Sequence, residues 1–217
     1  VEAGKGAGNS ATFDMTAGGD NLLLAGDDAA RSSGSLSYRG GSGDDSLTFG
    51  TFLAQDGSAT FDMSAGGNNT LVADDDAASS NGSIAYTGGS GNDSLTFGDY
   101  MAYSNGSVSV DMALGGTNTL VAGTAAASSP GMDGAGGAAS FSGSISYEGG
   151  SGDDSLTFGN FLVFSGGNAT FNMSAGGNNT FVAEDYAASG GSISYTGGSG
   201  VDSLTFGDDL AAFSGTA

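Results

Sequence analysis

An eleven-residue segment recurs four times in this chain and constrains its fold more than any other feature. GGSGDDSLTFG begins at Gly40, GGSGNDSLTFG at Gly88, GGSGDDSLTFG at Gly149 and GGSGVDSLTFG at Gly197. The offsets are 48, 61 and 48 residues. A second series interleaves with the first: ATFDMTAGGDNLLLAG from Ala11, ATFDMSAGGNNTLVAD from Ala59, VSVDMALGGTNTLVAG from Val108 and ATFNMSAGGNNTFVAE from Ala169. Self-similarity at a fixed period of this size marks a repeat architecture. Each unit is one small supersecondary element that becomes stable only when neighbours cover it.

Each unit carries four short runs of β-forming residues bounded by Gly, Asn, Asp or Ser. In the second unit these span 59–63, 70–73, 83–87 and 94–98. The connections alternate between short (SAGGNN, GGSGND) and long (DDDAASSNG, GDYMAYSNG). The simplest expectation is an all-β, parallel β-solenoid of about eight two-strand coils, each of about 24 residues. Residues 1–217 then form one repeat domain of four double-coil units, with a loop inserted near 124–140, around Pro130. At about 4.8 Å per coil, the stack is roughly 40 Å tall.

Alternation assigns the inward positions. Phe61 and Met63 share a face, as do Ile84 with Tyr86, Leu95 with Phe97, and Leu71 with Ala73. Corresponding positions elsewhere stay apolar, so like side chains are expected to stack into ladders. The outward positions of one sheet read Ser46 and Thr48, Thr70 and Val72, Ser94 and Thr96, a flat array of hydroxyl and methyl groups. Asp14, Asp62 and Asp111 recur on the outward side of the other sheet, where charge hinders sheet-to-sheet aggregation. Helices are not expected, because glycine pairs interrupt the chain too often.

Composition narrows the function. The chain has 24 acidic residues against three basic ones and a formal charge of −21. That charge repels nucleic acid and anionic lipid, and makes cations the partner it invites. There is no cysteine and no histidine. Disulfides, zinc–thiolate sites and every Ser-His-Asp arrangement are therefore excluded. No stretch is long and apolar enough to span a membrane as a helix. Paired carboxylates such as Asp44 and Asp45 recur in unit after unit, whereas an active site is usually unique, so an enzyme is not expected.

The GGSGxDSLT segments resemble the nonapeptide of the hemolysin-type calcium-binding (RTX) repeat proteins, G-G-x-G-x-D-x-U-x with U a large aliphatic residue. In the first copy the fixed positions are Gly40, Gly41, Gly43, Asp45 and Leu47, and all four copies match. The resemblance implies a parallel β-roll that holds Ca²⁺ between successive coils through backbone carbonyls and aspartates. The metal site residues it implies are Asp45, Asp93, Asp154 and Asp202, with Gly41, Gly89, Gly150 and Gly198. The chain departs from that pattern because its matching motifs do not follow one another every nine residues. The intervening turns present Asn68 and Asn69 in place of an aspartate.

These features together lead to the expectation of a structural or adhesive repeat region of a secreted bacterial surface, fibre or matrix protein. It is expected to be extracellular or at the cell surface and stabilised by calcium. The chain starts at Val1 and its ends fall in phase with the repeat. Head-to-tail self-association, or continuation in a longer chain, is therefore expected. An ice- or glycan-binding solenoid face is the alternative.

Overall fold

The computed structural model describes residues 9–123, 139–140, 143–164 and 166–211. These residues form strands and turns with no helix among them. The chain winds into a parallel β-solenoid. Two long sheets of eight strands and one short sheet of six run along it. From the first level to the eighth the backbone makes about seven turns of roughly 24 residues, close to the expected coil number.

Level three shows the coil. Its strands are Ser58–Asp62, Thr70–Ala73 and Ala78–Ser79, and level four repeats them as Ser83–Thr87, Ser94–Phe97 and Ala102–Tyr103. All pairings between levels are parallel and in register. Phe61 pairs with Tyr86, Leu71 with Leu95, and Ala78 with Ala102. Backbone hydrogen bonding therefore runs along the solenoid axis, and each level satisfies the N–H and C=O groups of the next.

The third strand corrects the expected two-strand coil. The long connections do not simply loop through solvent. Ala77 and Ala78, Met101 and Ala102, Leu162 and Val163, and Ala187 and Ala188 are all buried within them. A short apolar pair at these levels closes the third side of the core, and two residues are too few to show the alternation that reveals a strand.

The position before this pair is unusual. Asp28, Phe52, Asp76, Tyr100, Phe161, Tyr186 and Asp209 all have φ between 50° and 60°. Such left-handed conformations cost of order 1 kcal/mol for non-glycine residues and persist only when surroundings hold them. Here the N–H of one level donates to a carbonyl of the next. Phe52 N reaches Asp75 O at 3.1 Å, and Phe161 N reaches Asp185 O at 3.0 Å. Phe161 also stacks flat on Tyr186, with ring centroids 5.0 Å apart.

The expected inward residues form the core. Phe61, Met63, Leu71, Ala73, Ile84, Tyr86, Leu95 and Phe97 are all buried. Apart from Ala139–Ser140, which forms the short-sheet strand of level five, the insertion expected near 124–140 lies outside the described residues. Among the described residues no helix is long and apolar enough to cross a membrane.

Candidate functional site

The short turns that join the two long sheets hold the motif residues. Glycine is required there by close approach between levels. A Cβ on Gly91 would overlap the Gly67 carbonyl of the level before, and one on Gly89 would overlap the Gly66 Cα. Gly41, Gly150 and Gly198 meet Gly18, Gly115 and Gly176 in the same way. Backbone rests directly on backbone, so the second and third glycines of each motif are explained by stacking alone.

The motif aspartates are inside the protein. Asp45 and Asp93 are 1 % exposed and Asp154 is 2 % exposed. Asp202, on the last level, is partly exposed. Between them sit the second asparagines of the intervening turns, and Asn69, Asn118 and Asn179 are equally buried. The resulting ladder reads Asn21, Asp45, Asn69, Asp93, Asn118, Asp154, Asn179, Asp202.

Its hydrogen bonds all run the same way. Asp93 Oδ1 accepts from Asn69 N at 2.9 Å and from Asn69 Nδ2 at 3.0 Å. Asn69 Oδ1 accepts from Asp45 N at 3.1 Å, and Asn118 Oδ1 from Asp93 N at 3.0 Å. Each side chain caps the backbone of the level before it. One residue outward a second ladder has the opposite polarity. Asp44 Oδ1 accepts from Asn68 N of the level after it, and Asn68 Oδ1 from Asn92 N. A buried side-chain network of this kind fixes register only when its members are satisfied.

Aspartate and asparagine levels differ in two further positions, without exception. Aspartate levels carry Tyr38, Tyr86, Tyr147 and Tyr195 in the first long sheet, followed by Gly40, Gly88, Gly149 and Gly197. Asparagine levels carry Phe13, Phe61, Val110 and Phe171, followed by Met15, Met63, Met112 and Met173. The cause is packing. A Cβ on Gly88 would overlap both Asp93 Oδ2 and the Met112 sulfur, so the glycine leaves the space into which the carboxylate folds. Asp93 Oδ2 accepts from Gly89 N at 3.2 Å. The Tyr86 hydroxyl faces the same carboxylate but falls short of strict hydrogen-bond geometry.

Burial, opposed by the Asn69 and Asn118 donors, raises the carboxyl pKa of Asp93 and Asp154. Burial first, then the neighbouring carboxylates, raises the tyrosines. Tyr38 and Tyr195 are pushed up to about 12.

The calcium expectation can be tested on this donor set. Ca²⁺ needs six to eight oxygens with free lone pairs. In the asparagine turns the available oxygens already face an amide. Asn69 Nδ2 donates to Gly66 O and Gly67 O, both at 3.3 Å, as well as to Asp93 Oδ1. In the aspartate turns the carboxylate is directed inward, toward glycine, methionine and tyrosine. Among the described residues no three of His, Cys, Asp or Glu converge as a ligand set. As folded, these residues do not fit Ca²⁺.

The outward acids have a local role that the sequence reading missed. Asp14, Asp62, Asp111 and Asn172 each accept a hydrogen bond from the backbone N–H two residues on. They close the first long strand as Asx turns. The Ser64 hydroxyl and backbone hold the Asp62 carboxyl below its ordinary pKa, with help from Arg39 at 3.3 Å.

Comparison with protein-family models, with curated proteins and with solved structures returns no match. The likeness to RTX repeats therefore rests on the motif residues and on the parallel solenoid.

Proposed function

We propose that this chain is a structural or adhesive repeat region of a secreted bacterial surface, fibre or matrix protein, extending by stacking end to end. One observation carries this reading. Buried and exposed positions repeat level after level in two-coil units, so the fold offers a regular rod rather than a single cleft with unique chemistry. The acidity and the absence of histidine and cysteine support a passive role outside the cell. The motif and the parallel coil support a kinship of form with RTX β-rolls, and it is form alone that supports it.

The last described level supports the stacking. Leu204 is 43 % exposed, whereas Leu95 and Leu156 at the same position of inner levels are fully covered. A coil of a second copy laid on this level would cover it as the inner levels are covered. Unpaired strand edges template such addition.

Sedimentation and negative-stain electron microscopy of the 217-residue chain across a concentration series test this. Rods that lengthen with concentration, and shorten with L204K, are expected. A species that remains one chain long at high concentration would sink the proposal.

A second reading has its own support. On the second long sheet, Ser and Thr alternate in one outward file while Thr and Val alternate in the next, all in register. A flat, regular array of this kind suits an ice or glycan surface. Thermal hysteresis that T96K and T157K abolish would favour it over the rod.

A further inference from the structure

We propose that asparagine amides do the work of a bound cation in this solenoid, so that its winding is independent of calcium. At the Asn69, Asn118 and Asn179 levels one Nδ2 group sits among three oxygens, and at the Asn21 level it sits between two. Asn118 Nδ2 donates to Gly115 O at 3.3 Å, Gly116 O at 3.4 Å and Asp154 Oδ1 at 3.0 Å. Asn179 Nδ2 repeats this with Gly176 O at 3.1 Å, Gly177 O at 3.5 Å and Asp202 Oδ1 at 3.0 Å. Asn21 Nδ2 reaches Gly19 O at 2.9 Å and Asp45 Oδ1 at 2.7 Å.

Two turn carbonyls and a carboxylate from the next level form a focus of negative potential. Left alone, such a focus attracts a hard cation. The amide supplies two polarised protons at that point and shares them among the three oxygens. It is covalently tethered and always present, so it holds consecutive levels together without regard to the ionic conditions.

The alternation of levels follows from this. An aspartate at every level would place carboxylates against the same carbonyls with only the backbone N–H, and no side-chain donor, between them. An asparagine at every level would leave the amide without a charged acceptor. Only the alternating ladder gives each amide a carboxylate and each carboxylate an amide. The 48-residue unit is therefore two coils long because the ladder has two kinds of rung. This inference is separate from the rod proposal, since either can fail alone.

The test compares thermal unfolding of the 217-residue chain in EGTA and in 5 mM CaCl₂, together with N69D and the triple variant N69D/N118D/N179D. The unsubstituted chain is expected to melt at the same temperature in both. N69D is expected to melt about 5 °C lower in EGTA and to recover with calcium, with a larger fall and recovery in the triple variant. Binding of Tb³⁺, read as tyrosine-sensitised luminescence, is expected to appear in the variants and not in the unsubstituted chain. A chelator-induced loss of structure in the unsubstituted chain would overturn the proposal, whether or not the variants fold. So would an N69D chain as stable in EGTA as the original.

Discussion

Asn69 gives both its backbone N–H and its side-chain amide to a single oxygen, Oδ1 of Asp93, at 2.9 and 3.0 Å. Removing that oxygen orphans the buried Asn69 N–H and leaves Nδ2 with the Gly66 and Gly67 carbonyls alone. D93A is expected to cost about 1–3 kcal/mol for the one backbone donor left unsatisfied. D93N keeps the Oδ1 acceptor for Asn69 but sets an amide nitrogen against the Gly89 N–H, so it is expected to lose stability, by less than D93A. Urea unfolding of both variants measures the difference. Equal losses would show that the acceptor is unimportant.

Tyrosine accompanies aspartate at every level because its hydroxyl faces the buried carboxylate. Y86F is expected to destabilise by roughly 1 kcal/mol where Asp93 is present. It is expected to be nearly silent in a D93N background. A double-mutant cycle reads this coupling directly, and strictly additive losses would count against it.

Glycines of this chain are not equivalent. A Cβ on Gly91 would collide with the Gly67 carbonyl, which is backbone and cannot swing away. Gly26 has open space around it and an ordinary φ. G91A is expected to lose about 3 kcal/mol or more, and G26A to change stability by less than about 0.5 kcal/mol. Thermal melts of the two alanine variants check the contrast.

Acid should stabilise the solenoid over a defined range. Burial, then the charges of Asp75 and Asp99, raise Asp76 to about 6 from its ordinary 3.8. A raised carboxyl pKa means that the folded state binds the proton more tightly. The associated stability is full below 3.8 and is lost as pH rises through about 6. Asp93 and Asp154 shift in the same direction. Asp14 and Asp62 are lowered, so their contribution is present above 3.8 and lost only in stronger acid. The melting temperature is expected to rise between pH 7 and pH 5. D76N should flatten this slope by on the order of 1 kcal/mol after allowance for solvent screening. A melting temperature that falls across this range would contradict the assignment.

The parallel stack was legible because alternation is strict where one face is buried. Phe61 with Met63 and Leu95 with Phe97 could not be placed otherwise without exposing four large side chains. The third sheet was not legible, since Ala78–Ser79 and Ala102–Tyr103 are too short to alternate and lie in acidic, glycine-bearing connections. The direction of the motif aspartates was also hidden. An aspartate in a glycine turn reads as solvated, and only the space left by Gly88 beneath Met112 lets Asp93 fold inward. A signal was nevertheless present. Tyr, Gly and Asp recur together at 38, 40 and 45, and Phe, Met and Asn together at 61, 63 and 69. Linked substitutions within one repeat mark residues that touch.

The in-register parallel stack underlies every contact described above, and a spin-label ruler tests it most directly. The chain has no cysteine to interfere. Thr48, Thr157, Val182 and Thr205 belong to one outward file, on levels two, six, seven and eight. Labels on T48C/T157C, T48C/V182C and T48C/T205C are expected to lie roughly 19, 24 and 29 Å apart, rising by one strand spacing per level. Distances that fail to rise in equal steps would contradict the stack.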